Sequence, residues 1–230
     1  MDKIWVVGPP KCGNTWLSRL LGSARHSRVG GMNNNKPPAS EGEGRGGKYF
    51  IIQEHMQKRE TDDCCVVVYR DPRDAIVSAK FYWKMNNFDN AIDGVTQGKW
   101  PYARLWSKYI DNWIISGEAD AVISYEALKK DTAKSVKFIL NRFGIEPVVD
   151  IKTAVQIQSF ATKKKFIQKH GDNMPYGKPL QSEMLRKGII GDWKNHLTKS
   201  QCKIIHDRLW PYLYVLGYEK NPDWWKDVER

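Results

Sequence analysis

Three stretches of this 230-residue chain carry residues of the type and spacing that handle an anion. The first is Gly8-Pro9-Pro10-Lys11-Cys12-Gly13-Asn14-Thr15, which joins the apolar run Ile4–Val7 to the helical pattern TWLSRLLGSA. Glycines at a strand-to-helix turn let backbone N–H groups close on phosphate oxygens, and a Thr hydroxyl adds a donor. The stretch follows G-x-x-x-x-G-K-[ST] at both glycines and at Thr15. Asn14, however, stands where an ATPase or kinase needs a lysine for the outer phosphates. Lys11 supplies a cation three residues earlier. The second stretch is Arg70-Asp71-Pro72-Arg73-Asp74 with Ser78, at the end of the run CCVVVY. The third is Arg186-Lys187-Gly188-Ile189-Ile190-Gly191-Asp192-Trp193-Lys194. Arginine offers a planar fork to a phosphate, and glycine lets a backbone come close to it. A proton acceptor is also present: His55, at the end of YFIIQEH, has an unperturbed pKa of ~6.5.

Cys12 raises a different chemistry, that of a phosphatase nucleophile at a helix N-terminus. Such a loop wants an arginine six residues on, where this chain has Ser18, with Arg19 one step too far. A magnesium-dependent kinase is also disfavoured by the sequence, which has neither a D-F-G element nor an apolar strand ending in an acid.

The elements that must hold these groups are legible in outline. Ile4–Val7, Tyr49–Ile52, Cys64–Tyr69 and Ala121–Tyr125 are short, continuously apolar runs, as expected of strands covered on both faces. Helical periodicity separates most of them, over Thr15–Ala24, Arg73–Met85, Tyr102–Ile115 and Ala133–Phe143, and again after Thr198 towards Trp210, with Pro211 expected to end or kink it. The alternation predicts an α/β fold: three layers, α/β/α, around a central parallel sheet, P-loop NTPase-like, in one domain over residues 1–230. Gly30–Lys48 and Lys169–Gly191 read as long loops, and Met85–Pro101 as a further loop that could meet a substrate.

Lys and Arg number 37 against 26 acids, a net charge of +11, so an anionic partner is expected. The run Lys163–Lys165 reads as a solvated face. The four cysteines, Cys12, Cys64, Cys65 and Cys202, have no zinc-like spacing and are expected to be buried, reduced thiols. No secretory signal is visible and no apolar run approaches the ~20 residues of a membrane span, so a cytoplasmic protein without a membrane partner is expected.

Taken in order, the three stretches resemble the cytosolic-type sulfotransferases, which use 3′-phosphoadenosine 5′-phosphosulfate (PAPS) and release its desulfated product, PAP. Pro10-Lys11-Cys12-Gly13-Asn14-Thr15-Trp16 is similar to that family's P-K-S-G-T-T-W. Arg70 to Asp74 with Ser78 is similar to its Arg, D/N-P-[RK]-D and Ser eight residues after the Arg. Arg186 to Lys194 is similar to its R-K-G-x-x-G-D-W-K. The resemblance implies PAPS as co-substrate, no metal, and sulfuryl transfer to a hydroxyl or amine of a small-molecule or carbohydrate acceptor. It places Lys11 at the leaving group, and Cys12, Gly13, Asn14 and Thr15 around the 5′-phosphate. Arg70, Ser78, Arg186, Lys187 and Gly188 fall to the 3′-phosphate, and Trp16, Tyr125 and Phe160 to the adenine. His55 is the implied base, with Glu54 as the alternative; Gln53 departs from a lysine that the family often carries there. Two other classes compete, a small-metabolite kinase and a basic nucleic-acid-binding module, neither favoured by the three stretches together. The family's pairing motif, K-x-x-x-T-V-x-x-x-E, is kept at Lys194 and Thr198 and lost at Lys199 and Lys203, so a monomer is expected.

Overall fold

Each of the four apolar runs forms a strand, and a fifth strand joins them. The computed structural model describes residues 2–31, 49–170 and 187–230. In it β1 (Asp2–Val7), β2 (Arg28–Gly31), β3 (Tyr49–Glu54), β4 (Cys64–Tyr69) and β5 (Ala121–Ser124) make one parallel sheet in the order β2-β3-β1-β4-β5. Composition assigns Gly30 and Gly31 to a loop, but they lie in β2. There Gly30 pairs beside Ile52 and Val29 beside Ile51, a tertiary bond pattern that overrides weak local propensity. Tyr125, expected at the end of a strand, opens a helix instead, because Ser124 caps it by accepting the Ala127 N–H.

Alternate residues of β1 show why its apolar run is continuous. Ile4 and Val6 pack with Leu17, Leu20 and Leu21 of α1 (Asn14–Arg25), whereas Trp5 and Val7 face Tyr109 and Trp113 on the other side. Helices cover both faces, as the three-layer pattern predicts. α2 (Pro72–Tyr82) begins as its sequence dictates, with Asp71 accepting the Arg73 N–H at 2.9 Å and Pro72 at the first helical position. α4 (Trp106–Tyr109) continues into a π-helical turn (Ile110–Ile115), and α5 (Tyr125–Lys130), α6 (Thr132–Arg142), α7 (Ile151–Ile157) and α8 (Phe160–His170) follow.

Two expectations about local structure fail. Met85–Pro101, which reads as a substrate loop, contains α3 (Phe88–Gln97). Asn87 caps it, Gly98 ends it in the left-handed region, and Ala91, Ile92 and Val95 face the core. Pro211 does not stop the last long helix, α9 (Lys199–Val215). Burial of Leu209 and Leu213 on either side of the proline, with a Thr198–Gln201 capping box, offsets its cost of about 3 kcal/mol. Most of the expected loops, residues 32–48 and 171–186, lie outside the described residues.

The sheet order decides where a ligand can bind. The chain leaves β1 towards β2 and leaves β4 towards β5, in opposite directions, so a crevice opens at the carboxyl ends of these neighbours. Val7 lies beside Glu54 of β3 and Val67 of β4, which brings Gly8, His55 and Arg70 to one edge.

Candidate active site

The opening loop is held by close packing. A Cβ on Gly8 would lie 2.1 Å from the Val68 carbonyl oxygen, so no other residue fits. Gly13 caps α1 with φ of 102°, and a Cβ there would lie 2.8 Å from the Tyr125 ring. The Asn14 side chain is buried and donates to the Pro9 carbonyl at 2.8 Å. The residue that replaces the ATPase lysine thus fastens the loop to itself. Cys12 is fully buried in the core, and burial pushes its thiol up to about 12, which rules it out as a nucleophile. Lys11 adopts a left-handed φ of 68°, and its ammonium lies 3.2 Å from the centroid of the Tyr82 ring.

Around this loop one cleft gathers side chains from distant parts of the chain. Lys11, Gly13, Asn14, Thr15 and Trp16 line its floor. An aromatic slot opens beside them. Trp16 and Tyr125 meet edge to face at 5.9 Å, Trp16 Nε1 donates to the Gln158 carbonyl at 3.1 Å, and Phe160 forms another wall. The Arg70 guanidinium stacks 4.4 Å over the Tyr125 ring and donates from Nη2 to the Ile189 carbonyl at 2.9 Å. It also pairs with Asp74 at 3.4 Å, while its buried Nε has no hydrogen-bond partner among the described residues. Ser78, Lys187 and Gly188 line the same wall, and Lys187 lies 3.4 Å from Asp192. Gly188 has φ of 62°, and its Cα passes so close to the slot that a Cβ would meet the Tyr125 hydroxyl at 3.3 Å. Arg186 lies outside the described residues.

Some lining residues escape motif reading. Lys163 does not belong to a solvated face: it is 5% exposed and lines the cleft, whereas Lys164 and Lys165 are exposed. Arg19, also 5% exposed, lines it too. Each follows an aromatic slot residue by three positions, Trp16–Arg19 and Phe160–Lys163, so helical spacing was the available signal. Lys129 completes this side, its ammonium 5.8 Å from the Trp16 ring and 5.6 Å from that of Phe160.

His55 and Gln53 also line the cleft. His55 Nδ1 lies 2.8 Å from the Gly8 carbonyl oxygen. A carbonyl only accepts, so Nδ1 carries the proton and Nε2 keeps its lone pair. Burial lowers the His55 pKa below its ordinary value, outweighing the Gly8 bond and the nearby Glu54 charge, which act the other way. The ring is therefore neutral at pH 7. Glu54 turns back to accept the backbone N–H of His55 at 2.8 Å, and Tyr109 donates to the His55 carbonyl at 2.9 Å.

A parallel sheet of this order, with a glycine loop after its first strand, defines a P-loop-like nucleotide-binding fold. The sulfotransferase domain profile matches residues 50–211, and the chain belongs to that family. It is 30% identical to rat Sulfotransferase 2A2 over 156 residues, covering 60% of this chain and 52% of the relative. Guinea pig 3-alpha-hydroxysteroid sulfotransferase is 31% identical over 151 residues, with the same two coverages. The chain thus spans about half the length of the curated relatives it matches. Among solved structures, mouse sulfotransferase SULT7A1 complexed with PAP superposes with a TM-score of 0.70 at 20% identity, covering 92% of this chain and 84% of that one. Retinol dehydratase in complex with androsterone and inactive cofactor PAP superposes with a TM-score of 0.61 at 15% identity, covering 92% and 80%.

Proposed function

We propose that this protein is a PAPS-dependent sulfotransferase acting on a hydroxyl or amine of a small-molecule acceptor. The observation that carries the reading is the meeting, in one cleft, of a glycine-bearing anion loop, the cationic side chains of Arg70 and Lys187, the aromatic rings of Trp16, Tyr125 and Phe160, and a histidine whose pKa is lowered. Two cationic groups, the loop with Lys11 and the pair Arg70 and Lys187, fit a nucleotide phosphorylated at both 3′ and 5′ positions, and the buried Nε of Arg70, without a hydrogen-bond partner among the described residues, fits an added acceptor there. PAPS would supply an activated sulfuryl group. In this reading the loop amides and Thr15 hold the 5′-phosphate. Arg70, Ser78, Lys187 and Arg186 take the 3′-phosphate, with Gly188 allowing close approach, and Trp16, Tyr125 and Phe160 take the adenine. Lys11 offsets negative charge at the leaving oxygen, and His55 Nε2 takes the acceptor's proton. Asn14 acts through the shape of the loop. A kinase would need at position 14 a cation that this chain does not have.

The relative named for a 3-alpha-hydroxysteroid and the structure holding androsterone favour an apolar alcohol as acceptor. A carbohydrate is the alternative. Residues 1–230 are taken as one sulfotransferase domain, cytoplasmic and monomeric, with nucleic acid and membrane outside its partners. Its cysteines at 12, 64, 65 and 202 are free thiols, and no described helix is long and apolar enough to cross a membrane. The deciding experiment incubates the protein with labelled PAPS and a panel of hydroxysteroids, phenols, amines and oligosaccharides. Transfer to the alcohols is expected. Absence of PAP binding, or phosphoryl transfer from ATP, would refute the reading, and transfer confined to oligosaccharides would change the acceptor class.

A further inference from the structure

One buried carboxylate behind the cleft holds both the Arg70 fork and the glycine-bearing basic loop. Asp74 lies on α2 with its side chain fully buried. Its Oδ1 accepts the Trp193 N–H at 3.0 Å; its Oδ2 accepts the Gly191 N–H at 2.8 Å and lies 3.4 Å from Arg70 Nη2. Arg70 Nη2 in turn donates to the Ile189 carbonyl. The segment from Lys187 to Trp193 is therefore fixed at one carbonyl and two amides, and its first residues, Lys187 and Gly188, line the cleft. A buried carboxylate persists only when hydrogen bonds and a countercharge satisfy it, and these three partners do so. Asp71, the other acid of the same stretch, cannot replace it. Its two oxygens are engaged by Arg73, at 3.0 Å and 2.7 Å.

We propose that Asp74 is a positioning residue for the nucleotide: it joins Arg70 and the basic loop into one preassembled wall for the 3′-phosphate. This rests on the reading of the cleft as a PAP-type site. Preorganisation removes an ordering cost from binding, so its loss appears in affinity for the 3′-phosphate and leaves the chemistry at His55 and Lys11 in place. Asp74→Asn keeps the side-chain volume but turns an NH2 group towards N–H donors and removes the charge that faces Arg70.

The test measures binding of PAP and of adenosine 5′-phosphate, donor KM and kcat, for the wild type and Asp74→Asn, with amide exchange on the wild type. PAP Kd and donor KM should rise at least tenfold in the variant. Affinity for adenosine 5′-phosphate, and kcat at saturating donor, should change less than threefold. In the wild type without nucleotide, the Gly191 and Trp193 amides should already exchange slowly. Equal PAP affinity in both proteins, equal losses for the two nucleotides, or a fall in kcat with KM unchanged would overturn the inference. So would fast exchange at Gly191 and Trp193, which decides the matter if Asp74→Asn does not fold. A wild type that binds no PAP would instead overturn the reading of the cleft, leaving the exchange result to report on the anchor.

Discussion

His55 is kept in the form a base requires by a bond on its far nitrogen and by burial, and both effects have measurable signs. Because its folded pKa is lowered, the acid limb of kcat/KM should fall below the ordinary histidine range of ~6.5 when measured from pH 5 to 8. The same shift sets a stability term. It is absent above the unfolded pKa and destabilises the fold as pH falls below it, since the unfolded ring takes up the proton first. His55→Ala should reduce turnover by ~10²–10⁴-fold and leave PAP affinity nearly unchanged. Near-normal turnover in that variant, with loss in Glu54→Ala, would move the base to Glu54. At this scale the motifs named most of the cleft in advance, because Lys11, Arg70 and His55 are reached through fixed loop geometry. Lys163 and Arg19 were hidden by chemistry that looks the same in solvent as in a buried wall. Only packing of α1 and α8 decides between them.

The loop and the turns that brace it form the next scale. Asn14 bonds to the Pro9 carbonyl from a buried position, so Asn14→Ala should destabilise the protein by about 1–3 kcal/mol, the cost of leaving a buried polar group unsatisfied. Denaturant melts read this directly. Gly13→Ala forces a methyl group to 2.8 Å from the Tyr125 ring at a backbone angle of 102°, which should weaken PAP binding through both the loop and the slot. Calorimetry with PAP against circular dichroism separates that effect from unfolding. The π-helical turn braces the segment that follows His55: Trp113 Nε1 donates to the Met56 carbonyl at 3.0 Å and Asn112 to that of Gln57 at 2.8 Å. Strands and long helices were legible from periodicity. β2 and α3 were not, since the first depends on a neighbour's pairing and the second on burial of one narrow face.

For the whole molecule, anion binding should register as stability. With EDTA present, PAP at a hundred times its Kd should add about 2.7 kcal/mol and raise Tm, while adenosine 5′-phosphate at the same concentration raises it much less. Stabilisation that requires magnesium and ATP would contradict this. Assembly is less sharply determined than the altered pairing motif suggests. Lys203 is balanced within its own helix by Asp207 at 2.7 Å, so its charge is partly spent before any partner arrives. Light scattering of the wild type and Lys203→Glu should show a monomer in the first, and a dimer in the wild type would refute that expectation. The layer architecture was legible because buried parallel strands leave continuous apolar runs, but the strand order was not, because no local signal records which strands become neighbours.

That order has a consequence for how the chain is made. β1 precedes both of its neighbours in the chain and lies between them, β3 on one side and β4 on the other, in the finished sheet. One of its edges stays unpaired until β3 has been synthesised and the other until β4 has followed, each an interval in which a bare strand can recruit the wrong neighbour. The glycine loop follows β1 directly, whereas the Lys187–Trp193 segment comes after all five strands of the sheet. A nascent chain thus holds only one side of the cleft until Lys187–Trp193 has been made, and a ligand that needs both sides can reward folding only after that.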